Sequence, residues 1–133
     1  MFLSEEFKKE IREFMKQFEV RVYYVKKGWS YADMERDIIA LDLRECDCEE
    51  KAWSLAFHEL AHIVCYRTGI YEKYHHDVLS PKKYAKYIRK YGLRAERHVD
   101  KMGEEFMAYY KPEMKYMQAY RDQHDIDWYY KWV

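Results

Sequence analysis

The sequence predicts an α+β domain in which a small N-terminal β-sheet packs on a central helix and on further helices. Two short runs rich in β-branched and aromatic residues lie in the first third of the chain, and segments with helical apolar spacing precede and follow them. The length of 133 residues allows one modest core and is too short for a second. We therefore expect a single domain over residues 1–133.

The N-terminal elements follow from capping, periodicity and β propensity. Ser4 is a typical N-cap residue, because two glutamates and an apolar stripe at helical spacing come directly after it. Residues 20–25 (VRVYYV) and 37–43 (DIIALDL) are predicted strands, and Gly28 ends the first of them. Residues 31–35 fit either a turn or a helix.

Three helices are predicted after the strands. The first runs from residue 47 or 49 to residue 67, and Gly69 ends it. A Ser-Pro pair is a helix start signal, so residues 82–91 form the second helix. Residues 93–110 form the third, which ends before Pro112.

Residues 58–62 (HELAH) form an H-E-x-x-H motif, the pattern of a zinc site on a helix. At about 100° per residue, His58 and His62 lie only about 40° apart, so both imidazoles can reach one Zn²⁺. Glu59 lies about 100° from His58, where it is better placed to accept a proton from a water on the metal than to be a ligand. Apolar residues occupy the far side of this helix, which disfavours the alternative of a histidine pair with a purely structural role.

A mononuclear hydrolytic zinc site needs a third protein ligand, and the last predicted helix offers Glu96, His98 and Asp100. Glu96 shares its side of that helix with Asp100, whereas His98 shares its side with Arg94, whose charge is unfavourable beside a divalent cation. An aspartate at such a site can bond the outer nitrogen of a ligating histidine. We therefore expect Glu96 as the third ligand, with His98 as the alternative ligand and Asp100 as a residue that orients a ligand.

The segment 58–62, followed by Glu96-Arg97-His98-Val99-Asp100, resembles the gluzincin arrangement of H-E-x-x-H and then E-x-x-x-D. Within that group the chain most resembles the compact ImmA/IrrE metallopeptidases, over residues 20–112. The resemblance implies a minimal zincin-like fold and a Zn²⁺-dependent endopeptidase inside the cell. It also implies one or a few protein substrates, often a DNA-binding repressor encoded nearby.

Under this resemblance each site residue has a role. Zn²⁺ is held by His58, His62 and Glu96, while Glu59 is the base that then returns the proton, and Asp100 orients a ligand. The tetrahedral oxyanion also needs a hydrogen-bond donor. The sequence does not rank the candidates for that donor, which are Tyr84, His75, His76 and His98.

Two other functions compete with this interpretation. A SprT-like protease acting on DNA-associated proteins would need a third histidine ligand. A non-enzymatic interaction protein would keep its zinc as a structural staple and bind its partner through the aromatic C-terminal residues 128–132 (WYYKW). Glu59 favours catalysis, because a structural zinc site has no use for a base.

Charge and composition limit the partners. Lys plus Arg equals Asp plus Glu at 24 each, so we expect no direct nucleic-acid partner and no membrane attraction. The sequence shows no signal-peptide pattern and no apolar run as long as a membrane span, so the expected location is the cytoplasm. The chain has no asparagine and three glutamines, a balance that resembles proteins of thermophiles.

The three cysteines are too few and too irregular for a disulfide framework. Cys46 and Cys48 are separated by one residue, whereas the common zinc spacings leave two or more, so we do not expect this pair to bind metal. Cys65 lies near the histidine side of the motif helix and is predicted to be a small buried hydrophobe.

Overall fold

The computed structural model describes residues 3–68 and 93–114, with side chains for all but residues 93–96. Over these ranges the chain forms three α-helices and one mixed sheet of three strands, which confirms the predicted α+β class. The predicted helix over residues 82–91, the stop at Gly69 and the aromatic tail lie outside the described residues. No helix in the described ranges combines the length and the apolar character needed to cross a bilayer.

Helix α1 spans Glu5–Lys16 and begins where the sequence predicted. Ser4 is extended, and its hydroxyl accepts a hydrogen bond from the Phe7 backbone N–H at 3.0 Å. The predicted stripe faces inward, with Phe7, Ile11 and Met15 buried. This helix therefore contributes one wall of the core.

The sheet consists of β1 (Arg21–Val25), β2 (Tyr31–Asp33) and β3 (Ile38–Asp42), in the order β1-β3-β2. The central strand β3 runs parallel to β1 and antiparallel to β2. Residues 31–35, which fitted a turn or a helix, form a short edge strand and the start of a turn instead. That turn contains Asp37 at a positive φ of 57°, a conformation that aspartate tolerates better than most residues.

Helix α2 spans Glu49–Arg67, within the predicted bounds. The prediction of one apolar and one open face is too simple, because residues 52–57 are all buried and together they go all round the helix. The sheet and α1 cover one side of α2, and a second long helix covers another. Trp53 anchors this core by stacking on Phe57 with ring centroids 5.6 Å apart and by meeting Phe14 edge-on at 5.2 Å.

Helix α3 spans Leu93–Tyr110, as predicted, and is followed by a 3₁₀ turn over Pro112–Met114. Its main packing partner is α2. Val99 joins Ala61 and Cys65 of α2 in a small buried cluster beside the main core. Cys65 is completely buried there, as expected of a small hydrophobe.

Candidate metal centre

The two imidazoles of the H-E-x-x-H motif lie side by side in the second half of α2. The ring centroids of His58 and His62 are 4.9 Å apart, and the ring planes are nearly perpendicular at 83°. The side chain of His58 is only 12% exposed, and His62 is half-buried. Two imidazoles this close, one helical turn apart, can direct nitrogens at one metal ion.

Helix α3 brings a carboxylate to the first of these rings. Oδ1 of Asp100 lies 2.9 Å from Nδ1 of His58, and the Asp100 residue is 8% exposed. A carboxylate at this distance favours a proton on Nδ1 and thereby leaves Nε2 with a free electron pair. Ligating histidines in metalloproteins are commonly oriented in this way, so the arrangement fits a zinc ligand.

Helices α2 and α3 also come close together at Gly103, one turn after Asp100. A Cβ atom on Gly103 would lie 3.2 Å from Cα and 3.4 Å from the backbone N of His58. From the sequence, Gly103 is predicted to share the side of α3 that carries Glu96 and Asp100, but no local pattern predicts its approach to His58.

Glu59 is buried, with 6% of its surface exposed. Its helical phase differs by about 100° from that of His58 and by about 60° from that of His62. A buried carboxylate is costly unless polar groups or charges compensate it, so a core side chain at this position would ordinarily be apolar. Glu59 thus places a carboxylate, shielded from bulk water, beside the histidine pair.

The phase of α3 distinguishes the two candidates for the third ligand. Position 96 differs by about 40° from Asp100 and by about 20° from Gly103, the two residues whose contacts face His58. His98 differs by about 160° from Asp100, which puts it on the opposite side of the helix. The side chain of Glu96 itself lies outside the described residues, as do His75, His76 and Tyr84.

No three His, Cys, Asp or Glu side chains in the described ranges form a group with metal-binding geometry. The expected zinc site also includes Glu96, whose side chain lies outside the described residues.

The cysteine pair Cys46 and Cys48 is too distant to complete the zinc site. Cys48 is the N-cap of α2, ten residues before His58, which corresponds to about 15 Å along a helix. Burial raises the pKa of the Cys46 thiol to about 12, so in the metal-free protein this group is a neutral thiol at neutral pH.

A groove runs beside the edge strand β2 and reaches the end of α2. Its volume is about 370 Å³, and Tyr66 faces the strand and its following turn across it. The phase of Tyr66 differs by about 20° from that of Glu59, so both lie along one strip of α2. The groove-lining residues are Tyr31, Ala32, Asp33, Met34, Glu35 and Tyr66.

No family model matches the chain, and no curated protein or solved structure is significantly similar to it.

Proposed function

We propose that the protein is a zinc-dependent endopeptidase that hydrolyses a peptide bond in a specific protein of the same cell. One observation carries the proposal: the His58 ring adjoins that of His62 and has its Nδ1 atom 2.9 Å from the Asp100 carboxylate. A carboxylate beside the outer ring nitrogen is a common partner of a metal-ligating histidine. A histidine pair with no ligand would have no need of a buried carboxylate from another helix.

The residues present fit a Zn²⁺ ion. His58 and His62 offer neutral nitrogens, and Glu96 is the proposed third ligand because its position lies on the α2-facing side of α3. Three protein ligands leave one tetrahedral position open, as in catalytic rather than structural zinc sites. When bound, zinc polarises the scissile carbonyl and lowers the pKa of the attacking water.

Glu59 is the proposed base. Its carboxylate would accept the proton from the attacking water and then deliver it to the nitrogen of the departing amine. The burial of Glu59 supports this role, because exclusion of bulk water strengthens its interaction with the reacting atoms. Asp100 would hold the His58 ring in one tautomer throughout.

The substrate segment would lie along the groove at β2. This strand pairs with β3 on one side, and its other side is an edge of the three-stranded sheet that the structure describes. An extended peptide can add to such an edge through backbone hydrogen bonds. The strip of α2 that carries Tyr66 leads from this groove toward Glu59, so a peptide in the groove would be directed at the base.

Two alternatives are weaker. A SprT-like protease needs a third histidine ligand, and His98 lies on the side of α3 turned away from His58. A structural zinc site in a non-enzymatic protein has no use for a base, whereas Glu59 supplies a carboxylate directly after the first histidine. We propose the cytoplasm as the location and a DNA-binding repressor as the kind of substrate, both following the family resemblance.

The decisive experiment separates metal binding from turnover. Glu59→Gln should retain one equivalent of zinc and the wild-type fold but lose peptide hydrolysis, because it removes the base and no ligand. Glu49→Gln is the matched control, the same change at an exposed position in the first turn of α2. Zinc content would be read by elemental analysis and cleavage by mass spectrometry. Full turnover by Glu59→Gln would contradict the mechanism, and a wild type that binds no zinc would contradict the metal site.

The substrate range is tested with the same assay. A chain of this length has little material beyond its core and metal site from which to build a deep general cleft, so casein should be cut poorly. A repressor from the same genome should be cut at one or two positions. Efficient cleavage of casein at many sites would refute narrow specificity. Absence of any cleavage by the zinc-loaded enzyme would favour the interaction protein.

A further inference from the structure

Helix α3 comes close to the backbone of a proposed ligand at Gly103. A Cβ atom added to Gly103 would lie 3.2 Å from Cα of His58, 3.4 Å from its backbone N and 3.4 Å from the backbone O of Phe57. All three atoms belong to the middle of α2. The end of a long side chain can turn aside, but a helical backbone cannot. A Cβ atom at position 103 therefore requires the backbone of α2 or α3 to shift by a few tenths of an ångström.

Backbone conformation does not explain the glycine. Among the described glycines, Gly28 is the one with a positive φ, whereas Gly103 lies within the regular helix α3. Glycine is one of the poorest helix formers, and alanine would favour α3 more strongly. The reason for glycine at this position is therefore the space that it leaves for His58.

Asp100 lies one helical turn before Gly103 and is also close to His58. A Cβ atom at position 103 would crowd the backbone of His58, while Asp100 lies 2.9 Å from the His58 ring. The separation of the two helices at Gly103 therefore controls the distance between the Asp100 carboxylate and Nδ1. Position 96, two turns before Gly103, depends on the same separation.

We propose that Gly103 is a positioning residue of the metal centre. By leaving room for the His58 backbone, it holds α3 at the distance at which Asp100 reaches Nδ1 and at which α3 can supply the third ligand. This inference rests on the proposed zinc site. It adds that the affinity of the site is set by the spacing of two helices and not only by the identity of the ligands.

Enlarging residue 103 should weaken zinc binding stepwise. Gly103→Ala requires a shift of a few tenths of an ångström and should lower zinc affinity several-fold, while Gly103→Val should lower it by about 10-fold to 100-fold, as loss of an outer-shell partner does. The free energy of unfolding of the metal-free Gly103→Ala variant should fall little, because alanine favours the helix. If Gly103 acted only in core packing, the substitution would lower the free energy of unfolding and leave zinc affinity unchanged.

The experiment uses the 133-residue protein, with Zn²⁺ and Co²⁺ as probes. Zinc affinity would be measured by competition with a chromophoric chelator, the ligand geometry by the visible spectrum of the Co²⁺ form, and the stability of the metal-free protein by urea unfolding. Lys101→Val is the matched control, because it introduces the same branched residue at an exposed position of the same helix. It should bind zinc as the wild type does.

The expected order of zinc affinity is wild type, then Gly103→Ala, then Gly103→Val, with a changed Co²⁺ spectrum in both variants. If Gly103→Val fails to fold, the Ala variant decides. Unchanged affinity and an unchanged Co²⁺ spectrum in a folded variant would overturn the positioning role while leaving the zinc site intact. A wild type without zinc would overturn the positioning role and the proposed function together.

Discussion

Replacing Asp100 measures how far the contact between the helices supports metal binding. The carboxylate is 8% exposed, and the 2.9 Å distance to His58 Nδ1 lies within the range of charge-assisted hydrogen bonds. Loss of such an outer partner costs about 10-fold to 100-fold in metal affinity, or about 1.4–2.8 kcal/mol. Because the contact is short and buried, Asp100→Ala should lower zinc affinity by about 100-fold. Asp100→Asn should lower it by about 10-fold, since its amide oxygen can still accept a hydrogen bond from Nδ1–H.

Competition with a chromophoric zinc chelator at one neutral pH and one ionic strength would give both affinities. Asp47→Asn is the control, because Asp47 is an aspartate of the same chain whose side chain is 69% exposed and pairs with Lys51 at 3.2 Å. Its zinc affinity should equal that of the wild type. If Asp100→Ala bound zinc as tightly as Asp47→Asn, the argument that α3 orients His58 would be wrong.

Three further outcomes concern stability and reactivity. Trp53→Ala should lower the free energy of unfolding in urea by about 3–5 kcal/mol, because the indole is almost fully buried among other aromatic rings. Burial raises the pKa of Cys46 to about 12, so Ellman's reagent should modify the half-buried Cys48 far faster in the folded protein and should modify all three cysteines after unfolding. Hydrogen bonds from Arg44 hold the pKa of Asp42 below its ordinary value, so the ionised carboxylate stabilises the fold above about pH 4 and this contribution is lost as the pH falls further. Unfolding midpoints should accordingly decrease less steeply on acidification in Asp42→Asn than in the wild type.

The helices could be predicted from sequence because their signals are local. The Ser4 cap, the motif on α2 and Pro112 after α3 each lie within or beside the element that they define. Strand β2 could not be predicted, because its three residues are too few to show a period of two. Its conformation depends on hydrogen bonds to β3, which is a tertiary effect.

In the candidate site, too, local features could be predicted from the sequence and contacts between helices could not. The proximity of His58 and His62 follows from their spacing on one helix. The contact between His58 and Asp100 joins residues from two different helices, so the sequence could propose it but could not supply the distance. The role of Gly103 could not be predicted, because it depends on what the opposite helix presents, which no local pattern contains.

The two contacts of α3 with His58 also bear on the third ligand. Neighbouring charges alone favoured Glu96 over His98, since His98 shares its side with Arg94. The contacts made by Asp100 and Gly103 add an independent argument, because they identify the face of α3 that meets α2. Position 96 has the helical phase of that face, and His98 has nearly the opposite phase. A histidine there could reach a metal beside His58 only if α3 rotated by about half a turn, which would remove Asp100 and Gly103 from His58 together. The spacing of Glu96, Asp100 and Gly103 along one face of α3 therefore supports one arrangement, with a ligand, an orienting carboxylate and a point of close approach on successive turns.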